Sequence, residues 1–139
     1  MSVATPSCSA QLTTNLTEDV ESWPQWSPTV DSVARIDSGT FDVGSIARIK
    51  QPGLPEANWT VTELTRGRRF AWETHIRGIR MKATHELTAS EGGTRNVLRF
   101  EMSGAIALFL WPIIRNPARR ALERENAGLK ATCERLNSP

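Results

Sequence analysis

Met81-Lys82-Ala83-Thr84-His85-Glu86-Leu87 and Asn96-Val97-Leu98-Arg99-Phe100-Glu101-Met102 carry the reading of this chain. Side chains alternate across a strand, so Met81, Ala83, His85 and Leu87 share one surface and Lys82, Thr84 and Glu86 the other. In the second stretch Asn96, Leu98, Phe100 and Met102 oppose Val97, Arg99 and Glu101. The intervening Glu91-Gly92-Gly93 is a hairpin signal, so the two stretches predict neighbouring antiparallel strands with one face inward.

Working outward, the same alternation recurs between turn signals. Strands are expected over Val30 to Ile36, Ser45 to Gln51, Trp59 to Leu64, Arg69 to Arg77, Ile79 to Thr88 and Thr94 to Ser103, as in an antiparallel sheet. Before them, Ser9 is a plausible N-cap for a helix carrying Ala10, Leu12 and Leu16 and ending near Ser22, since Pro24 disfavours helical geometry at Trp23. Trp23-Pro24-Gln25-Trp26 reads as a second short helix or tight turn, its indoles packing in the core or lining a pocket entrance. From Ala105 onward the composition is helical. Asn116-Pro117 is expected to break or kink it. Beyond Ala118 an apolar stripe of Leu122, Leu129, Cys133 and Leu136 follows, with Glu125 and Asn126 at its hydrated border, or Asn126 turned toward the interior.

The bulk properties narrow the function. The 139 residues fit one domain. Residues 1–65 hold three Lys/Arg against eight Asp/Glu, and residues 66–139 fourteen against seven. The later excess includes Arg66, Arg68, Arg69, Arg115, Arg119, Arg120 and Arg124, a turn cluster and a helix face that are solvated or attract an anionic ligand or membrane surface. No basic run interleaved with aromatics favours nucleic acid. The longest apolar run, Ala105 to Ile114, is ten residues and contains Pro112, whereas spanning a bilayer takes about 20. Cys8 and Cys133 read as free thiols in a chain without an export signal, and the expected location is cytoplasmic. No metal-ligand set or cofactor motif is visible.

The order and separation of Trp23-Pro24-Gln25-Trp26, Val43-Gly44-Ser45, Trp72-Glu73, Gly92-Gly93-Thr94-Arg95, Phe100-Glu101-Met102-Ser103-Gly104 and Leu129-Lys130-Ala131 resemble the START-like (SRPBCC) superfamily, in its bacterial polyketide cyclase/dehydrase branch. The resemblance covers roughly residues 9 to 136. It implies an α+β helix-grip fold: a curved antiparallel sheet wrapped around a long C-terminal helix, with two short helices near the N-terminus. It also implies a cavity between sheet and helix that takes a hydrophobic or polycyclic small molecule, lipid or polyketide-like. Only Ser2 to Pro6 precede the first helix, so the family's opening strand is expected to be short or absent. That would leave an edge for a homodimer partner.

On this reading the lining comprises Trp59, Trp72, Ala83, His85, Leu87, Leu98, Phe100, Met102, Leu108, Trp111, Leu122 and Asn126. The same residues would also suit a solid core. His85 is a core histidine, a polar anchor for ligand, or the general acid/base of a cyclase/dehydratase, since imidazole titrates near neutrality. His75 falls on the solvent face.

Overall fold

The computed structural model describes residues 2–7, 15–52, 54–90 and 93–137. Seven strands form one antiparallel sheet: β1 (Ser2–Ser7), β2 (Ser32–Arg35), β3 (Ile46–Lys50), β4 (Ala57–Thr65), β5 (Arg69–Ile76), β6 (Ile79–Ser90) and β7 (Gly93–Ser103). Their spatial order is β1-β7-β6-β5-β4-β3-β2. Six lie where alternation placed them, to within three residues at each end. The first strand is present: its six residues pair with β7 from Ser2 opposite Arg99 to Ser7 opposite Thr94. In the central hairpin His85 lies opposite Leu98 and Ser90 opposite Gly93. Glu91 and Gly92 fall outside the described residues.

Residues 15–18 are helical, while Ser9, Ala10 and Leu12 of the expected first helix lie outside the described residues. A 3-10 helix runs from Val20 to Gln25, so the expected single helix to Ser22 is two elements. Trp23 and Trp26 are both buried, and the Trp23 indole N–H donates to the Thr17 carbonyl at 3.1 Å. That bond satisfies a polar group that would otherwise be costly to bury.

The C-terminal helix spans Ala107–Asn137, 31 residues, and carries Pro112 and Pro117 inside it. The expected break at Asn116-Pro117 does not occur. Each proline removes one amide donor, but the surrounding turns and the packing of the helix carry it through. Its buried stripe is Leu122, Asn126, Leu129 and Cys133, at successive offsets of four, three and four. Leu136, expected on that stripe, is exposed. Cys133 is buried and disulfide-bonded, which corrects the free-thiol expectation; Cys8 lies outside the described residues.

The helix packs against β1 and β7, at one end of the sheet. Over the sheet's other half the concave face is filled by an aromatic cluster. Trp23 stacks edge-on to Trp72 at 5.2 Å, Phe70 to Trp72 at 4.9 Å, and Trp59 leans on Trp72 at 5.8 Å. Gly128 sets how closely the helix meets the Trp23–Trp26 segment: a Cβ there would stand 2.2 Å from the Trp26 carbonyl oxygen. On the convex face ion pairs cross the strands, with Arg69 between Glu63 and Glu86, and Arg80 on Glu73.

Candidate functional site

Between the helix and the aromatic half of the sheet lies a cavity of about 150 Å³. Its wall on the sheet side includes Trp59 from β4, Trp72 from β5, Ala83 and His85 from β6, and Leu98 and Phe100 from β7. Trp23 closes one end; Leu54 and Pro55 of the β3–β4 connection and Ile76 of the β5–β6 hairpin stand around it as well. The helix contributes Ala118, Ala121, Leu122 and Glu125. Two alanines on this face keep the helix surface low, so space remains where larger side chains would fill it.

Of the twelve lining residues expected from sequence, Trp59, Trp72, Ala83, His85, Leu98, Phe100 and Leu122 meet at this cavity. Five others do not border it. Leu87 sits beyond His85, against Phe70 and Leu64, where β6 runs past the helix. Met102 lies half-buried toward the far end of β7. Trp111 stacks on Phe100 at 6.5 Å. Leu108 is 83% exposed, on the outer side of a first turn whose Ala107 is buried. Asn126 is fully buried but is spent on another contact: Asn96 Nδ2 donates to its Oδ1 at 3.1 Å, and its own Nδ2 donates to the Asn96 carbonyl at 3.4 Å. His75 is exposed, on the solvent face as expected.

Glu125 is the residue that sequence reasoning missed. It was expected at a hydrated helix border, yet its side chain is 13% exposed, and its Oε1 lies 3.6 Å from His85 Nε2. That separation is too long for a direct hydrogen bond. Glu125 Oε1 and His85 Nδ1 are both buried without a hydrogen-bond partner among the described residues. The available signal was helical spacing: Glu125 follows Ala118, Ala121 and Leu122 at offsets of seven, four and three, which places it on their face.

The surroundings of the pair set its charge. The His85 ring is held between Trp23, at 5.2 Å, and Phe70, at 5.5 Å. Burial among these rings pushes the imidazole down to about 3, and burial lifts the Glu125 carboxyl to about 7. Desolvation disfavours whichever form is charged, so the two shifts run in opposite directions from one cause. His85 is therefore a neutral hydrogen-bonding group across the ordinary pH range. Titration near neutrality, expected of His85, belongs to Glu125. The cavity thus has an apolar body and one polar pole.

This geometry has counterparts among solved structures. A hypothetical protein from Helicobacter pylori, jhp0584, superposes with a TM-score of 0.80 at 13% identity, covering 96% of this chain and 85% of that one. A START superfamily protein from Mycobacterium smegmatis gives 0.73 at 17% identity, with 99% and 98% covered. The Zhui aromatase/cyclase from Streptomyces sp. R1128 gives 0.70 at 14% identity, with 97% and 92% covered. At such identities the likeness is one of fold, the helix-grip arrangement. No curated protein matches the chain. The family described as polyketide cyclase / dehydrase and lipid transport matches residues 2–134, nearly the whole sequence, and the protein belongs to it.

Proposed function

We propose that the protein binds a hydrophobic small molecule in the cavity between sheet and C-terminal helix, with His85 and Glu125 recognising one neutral polar group of that ligand. The observation that carries this reading is the pair itself: two buried side chains with polar atoms that have no hydrogen-bond partner among the described residues, in a mostly apolar wall whose other polar members are Thr29, Gln51, Thr84 and Arg99. Leaving such atoms unpaired costs about 1–3 kcal/mol each, and a ligand hydroxyl or carbonyl reaching both recovers that. The apolar remainder adds about 25 cal/mol per Å² removed from water.

Size and charge narrow the ligand. An apolar space of about 150 Å³ holds one benzene-sized ring. A polycyclic or long-chain ligand enters by moving Leu54 and Pro55 outward. At this pole the neutral imidazole and the carboxyl group offer no counter-charge to a carboxylate, which favours phenols, alcohols and ketones there, while Arg99, also on the lining, is the cation that a fatty acid would meet. Native mass spectrometry with a panel of phenols, aromatic polyketides and fatty acids tests this. Retention of the neutral aromatics, lost in His85→Ala, supports it; no retained ligand from any class contradicts it.

The family also contains cyclases and dehydratases in its description, and one observation favours that second reading. A carboxyl held near 7 inside an apolar cavity exchanges a proton at neutral pH, as a general acid/base must. In its carboxylate form Glu125 accepts a proton from an acidic C–H beside a ligand carbonyl, while the His85 N–H hydrogen-bonds the carbonyl oxygen. As the acid it returns the proton to a departing hydroxyl. Turnover lost in Glu125→Gln with ligand binding retained would mark catalysis.

A further inference from the structure

The beginning of the C-terminal helix presents apolar side chains that none of the described residues covers. Leu108 is 83% exposed, Phe109 79%, Ile113 70% and Ile106 49%. A single exposed leucine needs no account, whereas four large apolar residues within eight positions form a contiguous patch that marks an interaction surface. The next turns are basic: residues 107–124 contain Arg115, Arg119, Arg120 and Arg124 against the lone acidic Glu123. Arg119 pairs with Glu123 at 3.2 Å, while Arg115, Arg120 and Arg124 are exposed and form no ion pair among the described residues.

Charge decides what covers this patch. A two-fold contact between copies sets each patch against itself and offers the unpaired arginines no counter-charge from that patch, since Glu123, the one acid in residues 107–124, already pairs with Arg119. An anionic bilayer surface takes the same residues without conflict: Leu108, Phe109 and Ile113 enter the headgroup boundary, and the guanidinium groups meet lipid phosphates. Among the described residues no helix is long and apolar enough to cross a membrane, so the contact inferred for this helix is peripheral. The opposite side of this helix, at Ala118, Ala121 and Leu122, walls the cavity. We infer that the start of the C-terminal helix docks the protein on anionic lipid bilayers, bringing the cavity beside the membrane surface.

Flotation with vesicles of pure phosphatidylcholine, and of equal parts phosphatidylcholine and phosphatidylglycerol, tests the inference on the full chain. Binding is expected only to the mixed vesicles and to weaken with salt. Arg115→Gln/Arg120→Gln/Arg124→Gln should reduce it by roughly a hundredfold, and Leu108→Ser/Phe109→Ser by at least about tenfold. These side chains are exposed, so thermal melts of the variants should match the parent and exclude misfolding as the cause. Absence of binding to anionic vesicles, or binding unchanged in both variants, overturns the inference. So does a concentration-dependent dimer abolished by Leu108→Ser/Phe109→Ser, which would assign the patch to a second copy. None of these outcomes depends on the cavity ligand, so a failure here leaves the reading of the cavity standing.

Discussion

Two polar pairs join the C-terminal helix to the sheet, one residue apart on the helix, and they differ in kind. Asn126 and Asn96 exchange hydrogen bonds at 3.1 and 3.4 Å in full burial. Glu125 and His85 stand 3.6 Å apart at the cavity, each with an unpartnered polar atom. The asparagines bond directly to each other, leaving only Asn96 Oδ1 without a partner among the described residues, and thereby fix where the helix sits on β7. The second pair leaves its capacity open toward a space. Burial alone does not make a polar residue functional; burial without a protein partner, beside a cavity, points there.

Glu125→Gln should have the largest effect, and in the stabilising direction. The folded protein keeps a proton on Glu125 up to about 7, whereas the unfolded chain loses it near 4.5, so folding is penalised increasingly as pH rises through that window. Removing the charge should raise stability at pH 8 by on the order of 3 kcal/mol, measured by denaturant unfolding. It should do nothing comparable at pH 4. Asn96→Ala, by contrast, removes the donor to Asn126 Oδ1, leaves the bond to the residue 96 carbonyl, and should cost about 1–3 kcal/mol at every pH. Should both variants destabilise alike at pH 8, the distinction between the pairs fails.

Gly128→Ala sharpens the comparison from the packing side. A Cβ 2.2 Å from the Trp26 carbonyl requires the helix to lift, at about 1–3 kcal/mol, and should weaken ligand retention because Trp23 bounds the cavity. His85→Phe should have the smallest effect on stability, about 1 kcal/mol or less, since the aromatic box around it accepts a ring. Wild-type stability should also fall below pH 4.5. There the unfolded chain binds a proton on the histidine, at about 6.5, that the folded site refuses down to about 3. Between 4.5 and 6.5 the slopes from Glu125 and His85 oppose each other, and this pair contributes no net slope. His85→Phe should flatten the acid limb and leave the neutral one.

Much of the fold was readable because period-two alternation and glycine turns are local signals. Six strands and the terminal helix followed from them directly. At Pro117 proline chemistry argues for a break or a kink, and of the two the break does not occur, since the helix runs on to Asn137. Six cavity residues were legible because inward strand positions could be counted from His85 and Leu98, and Leu122 from the helix stripe. Leu108 and Trp111 were not, because apolar character does not tell which helix residues face the cavity, which face solvent and which pack on the sheet beside it. Glu125 was misplaced by weighing polarity above spacing on the helix, while for Asn126 the inward alternative is the one the structure shows. The bonded state of Cys133 depends on what approaches it in space, which no sequence spacing discloses.

The account's central claim is that Glu125 lies in an enclosed, desolvated pole of the cavity. A carbon-13 NMR titration of the glutamate side-chain carboxyls, with Glu125→Gln to assign the resonance, measures this directly. The account predicts a midpoint near 7, absent from the variant and displaced when a phenol occupies the cavity. A midpoint near 4.5, insensitive to added ligand, would show a hydrated carboxylate and contradict it.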